Sequence, residues 1–131
     1  MIKGVLIVNA CGGLIYQNIK ESAFAGKVEI DKLIALASTI YTAIEILSDL
    51  EVCTRQGKYK RLSIRYELAS ITALKTQTGL IFVIIHDHTD SAARISALSD
   101  RMHRTYIDDI LYSPEYYVDD RIPKKIFNDI L

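Results

Sequence analysis

The sequence predicts an α+β domain in which helices pack on a five-stranded antiparallel sheet, with the element order β-β-α-β-β-β-α. Three observations lead to this prediction. Apolar, β-branched runs at 2–9 and 80–85 indicate buried strands, and an alternating run at 61–68 indicates a half-buried strand. A long stretch with helical periodicity lies between the first of these runs and the alternating one. The chain has the length of one average domain, so residues 1–131 are predicted to form a single domain.

The first two strands are predicted to form a hairpin. The run Val5-Leu6-Ile7-Val8 ends at Asn9, and Gly12 and Gly13 supply a turn before residues 14–17 return as the second strand. A helix capped by Asp31 follows and runs to about Asp49. Its apolar residues recur at helical spacing, namely Leu33, Leu36, Ala37, Ile40, Ile44 and Leu47.

Two further residues widen the apolar side of this helix. Ile34 and Tyr41 extend it to roughly 180° of the circumference, whereas a helix that covers one sheet face needs only ~100°. We therefore predict that Ile34 and Tyr41 contact a neighbouring subunit.

The second half of the chain predicts a three-strand meander followed by helices. Residues 61–68 alternate between apolar and polar side chains, 70–75 form the next strand, 76–79 a turn and 80–85 the last strand. A helix capped by Thr89 or Asp90 comes next, and it ends before Pro114. Its apolar stripe consists of Ile95, Leu98, Met102, Tyr106 and Ile110. A short last helix is predicted near Pro123.

Composition and charge limit the possible functions. The chain is 50% hydrophobic and 24% charged, and its 16 Lys+Arg balance 16 Asp+Glu, which disfavours nucleic acid as a partner. Cys11 and Cys53 are too few for a disulfide scaffold and indicate a reducing compartment. Because no apolar run reaches the roughly 20 residues of a membrane span, a soluble cytoplasmic protein is expected.

Two surface features are candidate partner-binding sites. The first is a basic stretch that includes Arg61 and Arg65, which could dock an acidic protein surface or an anionic membrane, or could be a solvated strand face. The second comprises Tyr116 and Tyr117 beyond Pro114, which could be a recognition patch or could pack over the sheet edge.

The candidates for catalysis are weak. His86, Asp87 and His88 could bind a metal ion such as zinc, but they also fit the polar end of a strand that leads into a helix. Cys11 fits a small turn residue, and Gly12 and Gly13 lead into a strand rather than the helix that a phosphate-binding loop opens. Because no residues combine nucleophile, base and oxyanion roles, we predict a binding or scaffold protein without a catalytic residue, cofactor or metal.

Two motifs resemble a known family. Residues 8–17 (VNACGGLIYQ) resemble the opening of the sybindin subunit of the TRAPP vesicle-tethering complex. Residues 71–83 (ITALKTQTGLIFV) resemble its second motif, in which a Thr-Gly turn joins two strands, and 113–114 and 127–131 sit where the family has a Pro-containing loop and a final helix. The structural residues of the motifs are Gly12, Gly13, Tyr16 and Gly79.

The resemblance implies a longin-like fold and assembly with other TRAPP subunits. It also implies membership of a complex that exchanges guanine nucleotide on a Rab GTPase during ER-to-Golgi vesicle transport. The chain would then be cytoplasmic and would attach peripherally to endoplasmic reticulum and Golgi membranes only through that complex. Animal members carry a PDZ-like insertion between the first hairpin and the first helix, where this chain has only residues 18–30. The chain could therefore also correspond to the related short core subunit of the same complex.

A second interpretation is another longin-like trafficking protein, such as a small clathrin-adaptor chain, which would bind sorting signals on cargo rather than a Rab GTPase. The string Gly-Gly-Leu-Ile-Tyr-Gln at 12–17 argues against it.

Overall fold

A computed structural model describes residues 2–19, 30–49, 54–56, 59–65, 69–87, 92–111 and 122. The strands are β1 Ile2–Val8, β2 Leu14–Ile19, β3 Thr54–Gln56, β4 Tyr59–Arg65, β5 Ser70–Lys75 and β6 Ile81–His86. The helices are α1 Ile30–Asp49 and α2 Ala92–Thr105, and a π-helical segment, Tyr106–Leu111, continues α2. The predicted last helix near Pro123 lies outside the described residues.

The strands form one antiparallel sheet in the order β2-β1-β6-β5-β4-β3. The predicted α+β class and the element order β-β-α-β-β-β-α are confirmed. The sheet also contains one strand beyond the predicted five, because the short β3 pairs with the start of β4. Its three residues, Thr-Arg-Gln, are too few to show an alternating pattern, which explains why this strand was not predicted.

The two helices cover opposite faces of the sheet. Val5 and Ile7 of β1 belong to the core under α2, whereas Leu6 and Val8 belong to the core under α1. The same alternation divides β6 between the two cores. This explains why β1 and β6 are continuous apolar runs, since a strand buried on both faces has no solvent side.

Helix α1 packs on the sheet through one side. Leu33, Ala37, Ile40 and Ile44 are buried, and all four belong to the core that also holds Ile71, Ala73 and Val83 of the sheet. Helix α2 contributes Ile95 and Met102 to the opposite core, together with Tyr106 of the π-helical segment. These buried residues follow the predicted stripes, while Leu98 of the α2 stripe is only partly buried.

Candidate interaction surfaces

Two tight hairpin turns lie side by side at one end of the sheet. In the first, the Asn9 N–H donates to the Gly13 carbonyl over 2.8 Å and the Gly12 N–H donates to the Asn9 carbonyl over 3.1 Å. In the second, Thr76 and Leu80 are joined over 2.8 Å, and the Gly79 N–H donates to the Thr76 carbonyl over 3.1 Å. The turns are adjacent because Val8 at the end of β1 pairs with Ile81 at the start of β6.

Both turns need a glycine at their fourth position. Gly12 has a φ of +88° and Gly79 a φ of +93°, a backbone region that L-residues with a side chain rarely adopt. A Cβ on Gly79 would lie 3.1 Å from the Cβ of Ala10, so the second turn also packs closely on the first. Gly12 and Gly79 are therefore at positions where both the backbone conformation and a close approach favour glycine.

Asn9 organises the first turn, and this role of Asn9 was not predicted from the sequence. Its Oδ1 accepts hydrogen bonds from the backbone N–H of Cys11 over 3.0 Å and of Gly13 over 2.8 Å. The preference of asparagine for such side-chain bonds to nearby backbone was the available signal. Cys11 is exposed in this turn, in keeping with its interpretation as a turn residue.

Tyr41 of α1 packs on this turn. A Cβ on Gly12 would lie 3.0 Å from the Tyr41 Cδ1 and 3.2 Å from its Cγ, so the ring rests on the glycine backbone. Tyr41 is partly buried and also packs against the core under α1. The missing side chain of Gly12 thus leaves room for the aromatic ring that joins the turn to the helix.

The flank of α1 that carries Tyr41 faces this turn end of the sheet. Ile34 lies seven residues before Tyr41, and Glu45 four residues after it, so all three share one side of the helix. Glu45 forms an ion pair with Lys75 at the end of β5. Ile34 remains 42% exposed. We call Ile34, Tyr41 and Glu45 the turn-side flank of α1; that its two apolar members bind a partner remains a prediction.

A second exposed isoleucine on α1 lies elsewhere. Ile46 is 53% exposed, but it is twelve residues from Ile34. That spacing separates the two by about 18 Å along the helix and by about a third of its circumference. Ile34 and Ile46 therefore belong to two separate surfaces rather than to one patch.

Arg61 and Arg65 lie together on one face of β4. Leu62 and Ile64 pack against the core under α1, so Arg61, Ser63 and Arg65 point to the opposite face of the sheet. Arg65 is exposed, and the Arg61 Nε donates to the Ser63 Oγ over 3.0 Å. The structure thus groups the two predicted arginines in one row, and their binding role remains a prediction.

The polar end of β6 is built into the sheet. His86 is buried, its Nδ1 donates to the Asp87 carbonyl over 2.8 Å, and its Nε2 lies 2.9 Å from the Thr72 hydroxyl of β5. Both ring nitrogens therefore have partners within the fold. Among the described residues, no three metal-ligating side chains come together, and His88 lies outside them.

Tyr16 of β2 is buried on the α2 side of the sheet. Burial raises the pKa of its hydroxyl, and the nearby Asn18 side chain partly opposes this shift. The Tyr16 side chain thus forms part of the core under α2. The predicted recognition residues Tyr116 and Tyr117, like Cys53, lie outside the described residues.

None of the helices in the described part of the chain combines the length and hydrophobicity that a membrane span requires.

The structure is similar to that of a known longin-fold protein. MglB of Myxococcus xanthus matches it with a TM-score of 0.54 and 18% sequence identity, over 81% of this chain and 77% of MglB. At this identity the similarity shows the fold alone, and it confirms the predicted longin-like fold. No curated protein matches the chain.

The family comparison covers almost the entire sequence. The model of the Sybindin-like family matches residues 2–131, which include both hairpin turns and all described helices and strands. The first turn contains Gly12 and Gly13, which open the string Gly-Gly-Leu-Ile-Tyr-Gln, and the second turn contains Gly79. The chain therefore belongs to the sybindin-like family.

Proposed function

We propose that this chain is a non-catalytic core subunit of a TRAPP-type tethering complex, and that the complex acts as a guanine-nucleotide exchange factor for a Rab GTPase in ER-to-Golgi vesicle transport. The observation that carries the proposal is the family match over residues 2–131. Family and fold together support a trafficking subunit of the TRAPP type that forms a complex with other subunits.

Nucleotide exchange requires binding rather than bond chemistry from such a subunit. An exchange factor accelerates nucleotide release because it binds the nucleotide-free GTPase more tightly than the nucleotide-bound form. A subunit contributes by holding its neighbours and by presenting a surface to the GTPase. Two described surfaces suit this role: the turn-side flank of α1, where Ile34 is 42% exposed, and the row formed by Arg61 and Arg65.

Partners and location follow from the same proposal. The direct partners are other TRAPP subunits, which contact Ile34 and Tyr41, and the Rab GTPase is reached through the assembled complex. The chain is cytoplasmic and peripheral at endoplasmic reticulum and Golgi membranes, where the complex rather than a segment of this chain supplies the attachment. Family membership favours this proposal over a clathrin-adaptor small chain, because the matched family is the sybindin-like one.

The proposal is tested by isolating the chain with its companions. The full chain, tagged and expressed at its natural level in its own cells, is purified, and the mass of the complex is measured. The complex and the isolated chain are then added separately to co-purifying Rab GTPases loaded with fluorescent GDP. We expect the complex to accelerate GDP release and the isolated chain to leave it unchanged. A stable free monomer without companions, or a complex without any effect on GDP release, would contradict the proposal.

A further inference from the structure

Arg61, Ser63 and Arg65 form a row on β4, which we call the β4 row. The row faces the α2 side of the sheet, and Ser63 and Arg65 are exposed while Arg61 is half-buried. Lys3 and Lys75 each form an ion pair with a carboxylate of the fold. Within the described part of the chain, neither arginine of the row has such a partner. The β4 row thus carries two positive charges that no described carboxylate neutralises.

The neighbouring strand β5 adds no charge to this row. Residues that pair across two strands share one face of the sheet. The residues of β5 that pair with the β4 row are all uncharged, namely Leu74, Thr72 and Ser70. On the β5 side, therefore, no carboxylate competes for the two arginines.

The β4 row presents hydrogen-bond donors. The Arg61 Nε donates to the Ser63 Oγ over 3.0 Å, so the Arg61 guanidinium is turned towards Ser63, the side on which Arg65 lies. The terminal N–H groups of Arg61 and the guanidinium of Arg65 make no hydrogen bond with any described residue. A guanidinium has no acceptor atom, and its geometry matches the two oxygens of a carboxylate. The donors of the row therefore select an anionic group.

Helix α2 stands beside the β4 row on the same side of the sheet. It packs over β1 and β6, and the His103 ring lies 5.7 Å from the Phe82 ring of β6. β5 separates β4 from β6, which places the row about 10 Å to one side. Because a helix with its side chains is about 10–12 Å across, α2 rises higher above the sheet than the side chains of a strand do. The row is thus set back beside α2, where a polypeptide segment fits better than the flat surface of a membrane.

We propose that the β4 row binds an extended acidic segment of a partner protein, whose carboxylates accept hydrogen bonds from Arg61 and Arg65. The two arginines are four residues apart on one strand, which corresponds to about 13 Å. An extended segment has the same rise per residue, so acidic residues four positions apart on it match this spacing. The inference deepens the proposed function, and it rests on that function only for the source of the segment, a companion subunit of the complex.

The first test measures binding of a synthetic probe to the full chain. The probe is a peptide in which glutamate alternates with threonine, and the control peptide has glutamine in place of glutamate. The double variant R61Q/R65Q removes both charges of the row, whereas R101Q/R104Q removes two charges from exposed positions of α2. Circular dichroism checks the fold of each variant. At about 50 mM salt, we expect the Kd of the acidic peptide to rise about tenfold in R61Q/R65Q and less than about twofold in R101Q/R104Q. The glutamine peptide should bind all three chains equally weakly.

The single variant Arg65→Gln leaves the bond between Arg61 and Ser63 intact and should raise the Kd about threefold, so the test does not depend on the fold of the double variant. A Kd that is the same for the unchanged chain and for both variants of the row would overturn the proposal. Equal weakening by R61Q/R65Q and R101Q/R104Q would also overturn it, because overall charge rather than the row would then decide binding. So would a loss of binding to vesicles with about 30% phosphatidylserine but not to the peptide, because the row would then contact a membrane.

A second test uses the complex isolated from the chain's own cells. We expect tagged R61Q/R65Q to lose a companion subunit that R101Q/R104Q keeps. If R61Q/R65Q keeps every companion and its complex still accelerates GDP release, this inference is wrong while the proposed function stands. If the unchanged chain purifies without companions, the proposed function fails, whereas the peptide measurement still decides whether the β4 row binds an acidic segment.

Discussion

Replacing Gly12 with alanine tests the link between the first hairpin turn and α1. Gly12 has a φ of +88°, and an L-residue in the left-handed region costs about 1–2 kcal/mol relative to glycine. The added Cβ would also lie 3.0 Å from the Tyr41 Cδ1, so the ring must move by a few tenths of an ångström. Together the two effects predict a loss of about 2 kcal/mol in the free energy of unfolding.

The assay is urea unfolding, in which a change of the midpoint at a constant m-value reports stability. The two contributions are separated by repeating Gly12→Ala in a Tyr41→Ala background. Without the ring, the cost of Gly12→Ala should fall by at least about 0.5 kcal/mol, leaving the backbone part. Gly79→Ala is the matched control, because Gly79 has a similar φ of +93° but approaches Ala10 rather than Tyr41. Its cost should be the same in both backgrounds.

Two outcomes would refute this reasoning. If Gly12→Ala leaves the urea midpoint unchanged, the turn does not require a glycine there. If its cost is the same with and without the Tyr41 ring, the close approach between turn and helix has no energetic role.

Three further predictions concern stability. Thr72→Val should lower the free energy of unfolding in urea by about 1–3 kcal/mol, since it removes the hydroxyl that bonds to buried His86. Thr72→Ser keeps a hydroxyl and should lower this free energy by less. Equal losses for the two variants would contradict the prediction. Lys75→Met should lower the free energy of unfolding by less than about 1 kcal/mol, because the Glu45 side chain of the ion pair is 42% exposed. The loss should shrink in 1 M salt, which screens exposed charges. A loss that does not depend on salt would argue against a screened pair. Burial raises the pKa of Tyr16 above 10.0, so the neutral hydroxyl is favoured in the folded state. The resulting contribution to the free energy of unfolding is complete below pH 10 and is lost as the pH rises towards the folded-state pKa. Above pH 10 the urea midpoint should therefore fall more steeply for the unchanged chain than for Tyr16→Phe, and equal slopes would contradict this.

The periodic parts of the fold could be predicted from the sequence. The helix expected from Asp31 to about Asp49 is α1, Ile30–Asp49, and the strand expected at 70–75 is β5 with the same bounds. Both carry long, regular apolar patterns that report burial directly. The turn at 76–79 was also predictable, because glycine after a polar run is a strong local signal.

What the sequence did not predict depends on contacts between distant residues. β3 is too short for a pattern, and it is a strand only because β4 pairs with it. The contact of Ile122 with the β2 edge joins residues 107 positions apart, and no local propensity reports such a contact. The exposed fraction of Ile34 likewise depends on how α1 sits on the sheet, which the apolar periodicity of the helix does not determine.

The two exposed isoleucines of α1 provide the most direct test of the account. Ile34→Asp and Ile46→Asp make the same change at side chains that are 42% and 53% exposed, on separate surfaces of one helix. Each tagged full-length variant is expressed in the cells that make the natural complex, and the co-purifying subunits are quantified after circular dichroism has shown a normal fold. We predict that Ile34→Asp loses its companion subunits while Ile46→Asp retains them. Retention of the companions by a folded Ile34→Asp chain would contradict the claim that this protein works by being held through the turn-side flank of α1.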